Sequence, residues 1–243
     1  VEEAASAAAA IGAASTWVLS NHDVVRHATR YGLPLDVEPR PWLLNGPHEL
    51  LDAEVGARRG RAAALVTLAL PGSAYIYQGD ELGLPEVWDL PTDVLEDPSW
   101  ERSNHADKGR DGSRVPLPWT VDGPSFGFGS NGSWLPQPDS FGALSVEAQH
   151  ADPDSTLNLY RRALEIRREL FRDDEELTVL DLDPDVFAFE RGNGARSITN
   201  MGTGAIPLPD GAEPALCSGQ LASDGGRLVL PPDTSVWLRP NDT

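Results

Sequence analysis

The sequence predicts an α/β segment followed by an all-β domain. Three observations carry this. Short apolar runs alternate with helical stretches in the first half. The hydrophobic period changes to two after Asp173-Asp174-Glu175-Glu176. Asp-Pro, Gly-Asn-Gly and Asp-Gly-Gly turn signals then punctuate the last third. Alternating strands and helices imply parallel strands joined by helical crossovers. In such folds chemistry collects at the C-terminal ends of the strands.

Val1–Ala14 reads as a helix, opened by Glu2 and Glu3 and continued by alanines of high helix propensity. Ser15–Ser20 is rich in strand formers and stops at Asn21-His22-Asp23. Val24–Tyr31 reads as a short helical turn and Pro34–Pro47 as a loop. His48–Leu70 is the second helix, with Leu51, Val55, Leu65, Val66 and Leu68 at helical spacing and Pro71-Gly72 as its stop. Ser73–Tyr77 is a strand expected to be buried on both faces, ending at Gln78-Gly79-Asp80-Glu81. Leu84–His150 shows no convincing regular element. Its length exceeds an ordinary connection, and its prolines and tryptophans predict an ordered, functional loop. Ser155–Phe171 is a third helix, with Asp152 or Asp154 near its start as cap. Leu177–Leu182, Val186–Glu190, Arg196–Asn200, Arg227–Leu230 and Ser235–Arg239 read as short antiparallel strands.

Of 243 residues, 38 are acidic and 19 basic, for a formal net charge of -19. That balance excludes nucleic acid as a partner, because phosphate binding needs a basic face. No apolar run is long enough to span a bilayer, so no membrane partner is expected. A lone Cys217 excludes a disulfide framework and a multi-cysteine metal site. His22 and His27 are five apart and do not share a helical face, so no metal is expected. No phosphate-cradling loop is found in the sequence, and no cofactor is expected. Asn131-Gly132-Ser133 and Asn241-Asp242-Thr243 match the glycosylation pattern. The first residues lack the basic start of a secretory signal, so both are discounted and a cytoplasmic location is expected. Lys108 is the only lysine among the basic residues, a bias typical of GC-rich coding.

Asn21-His22-Asp23 sets an amide, an imidazole and a carboxylate at a strand lip. There they either fix hydroxyls and stabilise positive charge or simply cap a helix. Asp80 and Glu81 read best as a cap. Gly109–Arg114 places two arginines around Asp111, as an internally paired turn or a hydroxyl clamp. Trp88, Trp100, Trp119 and Trp134 serve either to stack on a sugar ring or to hold the loop together.

Three segments occur in an order that resembles the α-amylase superfamily. They are Trp17 to Arg26 around Asn21-His22-Asp23, Pro71 to Gly83 around Gln78-Gly79-Asp80-Glu81, and Gly109 to Trp119 around Arg110-Asp111-Gly112-Ser113-Arg114. The last resembles the α-glucosidase and oligo-1,6-glucosidase branch. Ser125–Gly129 followed by Trp134–Pro138 is similar to actinobacterial α-glucosidases. The resemblance implies the last two βα units of a (β/α)8 TIM barrel followed by a C-terminal antiparallel β-sandwich. Residues 1–174 would be barrel, including the ordered loop 84–150, and residues 175–243 the sandwich.

It also implies retaining hydrolysis of terminal α-linked glucose from maltose- or isomaltose-type di- and oligosaccharides. Asp23 would be the transition-state stabiliser and His22 would bind a hydroxyl. Arg114 would close the pocket at the non-reducing end, and Arg26 and Arg30 would line the aglycone side. The nucleophile and the acid/base belong to earlier barrel strands that nothing before Ser15 supplies. The chain is therefore expected to be a C-terminal portion, silent alone, whose partner is the N-terminal part of the barrel. Two further readings are a transglycosylating relative, of the trehalose synthase or sucrose isomerase type, and a non-catalytic scaffold or sugar-binding relative.

Overall fold

The computed structural model describes residues 1–171 and 176–240. The domain boundary expected at residue 174 and the Asn241-Asp242-Thr243 tripeptide lie outside the described residues. In chain order the helices are α1 (Glu2–Ala9), α2 (His27–Arg30), α3 (Pro39–Asn45), α4 (Ala53–Ala69), α5 (Ser99–Arg102), α6 (Val146–Ala151) and α7 (Thr156–Leu170). The strands are β1 (Thr16–Val18), β2 (Ser73–Tyr75), β3 (Leu177–Leu180), β4 (Val186–Arg191) and β5 (Arg196–Asn200), then β6 (Ile206–Pro207), β7 (Pro214–Cys217), β8 (Ala222–Asp224), β9 (Arg227–Leu230) and β10 (Thr234–Leu238). They fall into two compact units. One gathers Val1–Val18, Arg61–Tyr75 and Leu159–Thr243; the other gathers Leu19–Gly60 and Ile76–Asn158.

In the first unit β1 and β2 pair in parallel, with Trp17 opposite Ala74. This is the strand–helix–strand order that the alternating sequence predicts. The expected two-sided burial of β2 is not seen: Tyr75 is exposed, as is Val18 on β1. Side chains alternate between the faces of a strand, and among the described residues nothing covers the face that carries these two.

The remaining strands form a five-stranded sheet, ordered β3-β4-β5-β10-β7, and a three-stranded sheet, ordered β6-β9-β8. All their pairings are antiparallel. One apolar cluster joins the two sheets: Val186, Ala188, Ile198, Val236 and Leu238 from the larger pack with Leu230 of the smaller and with Leu208. Burying two inner faces against each other is the arrangement of a β-sandwich. Strands β6, β7 and β8 escaped the sequence reading because prolines 207, 209 and 214 and short length blur their period.

Strand β10 is the buried centre of this unit. Trp237 is fully buried, and its indole N–H donates to the Leu65 carbonyl of α4 at 3.0 Å. Its ring meets Phe171 edge-on at 5.1 Å. Arg191, also buried, donates to the carbonyls of Ala69 at 2.7 Å and Glu176 at 3.0 Å. A guanidinium on the last carbonyl of α4 satisfies an acceptor that the helix itself cannot.

Among the described residues, the second unit has two apolar clusters. Val25, Leu33, Trp42 and Leu43 form one; Leu82, Leu84, Val87, Leu90, Val115, Leu135, Phe141 and Leu157 form the other. The long loop is thus ordered by a core of its own, and it contains α5, α6 and several single turns. Its tryptophans divide. Trp88 stacks on His48 at 3.8 Å and Trp100 on His105 at 4.7 Å, while Trp119 and Trp134 are exposed.

Helix starts differ from expectation for local reasons. The helix expected from His48 is interrupted at Leu51, whose backbone is extended. Asp52 then opens α4 by accepting the Val55 N–H at 2.9 Å. At α7 the cap is Ser155, which accepts the Asn158 N–H at 3.2 Å. Asp152 instead accepts the Asp154 N–H at 2.9 Å, closing the preceding turn. Among the described residues no helix is long and apolar enough to cross a membrane, and no group of three or more His, Cys, Asp or Glu side chains stands ready to hold a metal ion.

Candidate active site

The residues that follow β1 in the chain meet residues of the long loop within the second unit. Asn21 folds back on itself, its side-chain oxygen accepting the Asp23 N–H at 2.8 Å. This Asx turn replaces the helix-cap reading: α2 begins four residues beyond Asp23, with Arg26 at its cap position. The turn leaves the Asp23 carboxylate half exposed, where it gathers three cationic or ionisable neighbours. Arg110 Nη1 donates to Oδ1 at 2.7 Å, Arg114 Nη2 stands 3.5 Å from Oδ1, and His22 Nε2 stands 3.4 Å from Oδ2. The Arg110 hydrogen bond, opposed by partial desolvation and helped by His22, holds the Asp23 carboxyl below the usual carboxylate range. Arg114 itself is fixed by the His22 carbonyl, which accepts from Nε at 3.1 Å and Nη2 at 3.0 Å.

The arginines of Gly109–Arg114 are not paired inside their own turn. Asp111 accepts the backbone N–H groups of Glu96, at 2.7 Å, and Asp97, at 2.9 Å. The Asp97 carboxylate receives Arg110 Nε at 2.5 Å. Burial works against ionisation of Asp97, but hydrogen bonds from Arg110 and Ser99 outweigh it and leave its carboxyl well below the ordinary range. Asp97 and then Asp23 in turn raise the pKa of Arg110 above the usual arginine value. Gly109 is required beside them: its φ is +75°, and a Cβ there would stand 2.7 Å from the Asp97 Cβ.

Beneath this open cluster lies a buried one. Arg26 is 1% exposed. Its Nη1 donates to the Gln78 carbonyl at 2.9 Å and its Nη2 to the Ser113 carbonyl at 2.8 Å. The guanidinium lies over the Tyr77 ring at 5.0 Å, a cation–π contact. The Arg26 N–H donates to Glu86 Oε2 at 2.9 Å. Arg30 donates from Nε to the Val25 carbonyl at 2.9 Å and from Nη2 to the Leu19 carbonyl. The sequence reading sets Arg26 and Arg30 on the aglycone side. In this chain both guanidiniums are committed to carbonyl oxygens and hold loops in place.

Asp80 and Glu81 cap no helix. Asp80 Oδ2 accepts the Tyr77 N–H at 3.3 Å and Glu81 Oε2 the Gly79 N–H at 2.8 Å, closing the turn after β2. Asp80 Oδ1, buried without a hydrogen bond, stands 3.4 Å from His27 Nδ1 and 3.9 Å from Arg26 Nη1.

The structure thus brings His22, Asp23 and Arg114 together and adds Arg110 and Asp97, which the sequence reading did not select as site residues. Arg110 stood in a recognised motif, read with Arg114 as an internally paired turn or a hydroxyl clamp, but had no role of its own. Asp97 precedes a proline and carried no mark beyond that of a turn former.

A carboxylate, an imidazole and two guanidiniums thus gather on loops that follow parallel strands, where chemistry collects in β/α folds. The chain belongs to the α-amylase family: the family model for the α-amylase catalytic domain matches residues 2–174. It is 36% identical over 152 residues to a probable α-glucosidase of Rhizobium meliloti, covering 63% of this chain and 24% of that protein. It is 29% identical over 170 residues to probable oligo-1,6-glucosidase 2 of Bacillus subtilis, covering 62% and 30%. Among solved structures it is similar to the α-glucosyl transfer enzyme XgtA, at 30% identity and a TM-score of 0.74, covering 98% of this chain and 42% of that one. The chain therefore spans about a quarter to a third of the length of these curated relatives. Its fold is accordingly the final strand–helix part of a (β/α)8 barrel, followed by antiparallel sheets in a sandwich arrangement.

Proposed function

We propose that this chain is the C-terminal portion of a retaining α-glucosidase acting on terminal α-linked glucose in maltose- or isomaltose-type saccharides. The observation that carries the reading is the Asp23 carboxylate, ionised and half exposed, between His22, Arg110 and Arg114. Glycoside hydrolysis of this kind passes through an oxocarbenium-like transition state between two carboxyl groups. A third, fixed carboxylate stabilises the developing positive charge and accepts hydrogen bonds from sugar hydroxyls. Asp23 is assigned that role. His22 and Arg114 bind hydroxyls, with Arg114 at the closed, non-reducing end, and Arg110 joins them. Arg26 and Arg30 act from behind by holding the loops.

The nucleophile and the acid/base are assigned to barrel strands outside this chain, so the N-terminal part of the barrel is its partner. Residues 1–174 belong to that barrel and residues 175–243 to the sandwich. No cofactor takes part in this chemistry, and a cytoplasmic location accords with it. An actinobacterial source is proposed on the Ser125–Gly129 and Trp134–Pro138 segments.

The test is glucose release from maltose and from a chromogenic α-glucoside. The chain alone is expected to release none, and the full-length enzyme that carries it to release glucose with retained anomeric configuration. Turnover by the chain alone would overturn the division of roles. The likeness to an α-glucosyl transfer enzyme favours a second reading, transglycosylation by the same site. Longer saccharides accumulating from maltose in place of free glucose would establish it.

A further inference from the structure

We infer that Asp97 is a positioning residue of this site: it fixes the Arg110 guanidinium and, through it, the carboxylate of Asp23. The inference rests on the α-glucosidase reading for its kinetic consequence, but not for its geometry. The Asp97 side chain is 1% exposed while that of Asp23 is 51% exposed. Asp97 is held first. Asp111 accepts its N–H at 2.9 Å, and its own Oδ1 accepts the Ser99 N–H at 2.9 Å. It then holds Arg110 by three bonds: Oδ2 accepts the backbone N–H at 3.0 Å and Nε–H at 2.5 Å, and Oδ1 accepts from Nη2 at 3.4 Å.

A guanidinium is planar and rigid, so fixing Nε and Nη2 also fixes the direction of Nη1. That remaining nitrogen reaches Asp23 Oδ1 at 2.7 Å. Arg114 gives Asp23 a longer contact, at 3.5 Å, and its Nη1 stands 3.9 Å from Asp97. An exposed aspartate–arginine pair alone is weak and rotamerically loose. Anchoring one member to a buried carboxylate removes that looseness before substrate arrives, which is preorganisation of a group that must meet developing charge.

The experiment has two arms. In the full-length enzyme, Asp97→Asn is expected to lower kcat/KM on a chromogenic α-glucoside by about 100-fold, mostly through kcat. In an Arg110→Gln background the same change should cost no more than about threefold, because the two residues act as one unit. Losses that multiply independently would overturn the proposal. In the 243-residue chain itself, the Arg110 Nε–H is followed by NMR. It should be protected from solvent exchange in the wild type and in Asp23→Asn, and lose protection in Asp97→Asn. Protection that survives Asp97→Asn would refute the positioning role. Should the wild-type enzyme release no glucose while the NMR pattern holds, the glucosidase reading fails and the positioning role stands.

Discussion

Arg110 Nη1 donates to Asp23 Oδ1 at 2.7 Å across 87 residues of chain. The contact joins the loop that follows β1 to the long loop, and His22 and Arg114 stand beside it at the same carboxylate. It is also the largest cause of the lowering of the Asp23 carboxyl below the usual carboxylate range.

In the full-length enzyme, Asp23→Asn should lower kcat by at least about a hundredfold, the scale seen when one charge-stabilising group is lost. The melting temperature should barely move, since Asp23 is exposed and its ion pairs are screened. Turnover like that of the wild type would remove Asp23 from the mechanism.

Glu86 is buried, and desolvation pushes its carboxyl up to about 7 from an ordinary 4.5, against the Arg26 N–H it accepts and the charges of Arg26 and Arg40. A raised carboxylate pKa means that the native state binds more protons than the unfolded one. Its contribution to stability is therefore full below pH 4.5 and lost as pH rises towards 7. The span corresponds to roughly 3 kcal/mol as an order of magnitude. In Glu86→Gln, which keeps the acceptor but not the titration, the difference between urea midpoints at pH 5 and pH 7.5 should shift in favour of the higher pH. An unchanged difference would show that Glu86 titrates normally.

Gly109→Ala should destabilise the chain by at least about 1–2 kcal/mol, the cost of a Cβ in left-handed backbone. The added atom would also stand 2.7 Å from the Asp97 Cβ, so in the full-length enzyme kcat should fall together with stability. Urea unfolding and kcat on a chromogenic α-glucoside measure both effects. A variant as stable as wild type would mean that the turn can be remade without strain.

Trp237→Ala should cost about 3–5 kcal/mol, since it empties a large core site and leaves the Leu65 carbonyl without its donor. Equilibrium unfolding followed by circular dichroism should show a midpoint shift of that size. A loss below about 1 kcal/mol would show that the surrounding sheet collapses into the space.

Much of this was legible in the sequence. Helices α4 and α7 and strands β5 and β9 lie where periodicity and turn residues put them, because each is specified by neighbours a few positions away. The three ordered motifs carried the family, which the catalytic-domain match then established. Less legible were the starts of α4 and α7, where one side-chain cap outcompeted another, and the short proline-broken strands β6, β7 and β8.

By itself, then, the sequence determined the main strand–helix alternation but not α3 or β6 to β8, together with the parallel-then-antiparallel plan, the family and the triplet Asn21-His22-Asp23. Only the tertiary structure decided how the arginines are used. Arg26 and Arg30 carry the same charge as Arg110 and Arg114, and nothing local tells them apart. Buried Arg26 satisfies its donors on nearby carbonyls, and half-buried Arg30 also donates to carbonyls, whereas Arg110 turns its nitrogens to the carboxylates of Asp97 and Asp23. Which arginine meets which condition depends on partners such as Asp97, Gln78 and Ser113, respectively 13, 52 and 87 residues distant in the chain. Those separations close only when the long loop packs on its own core, so the pairing of Asp23 with Arg110 belongs to the fold and not to any segment of it.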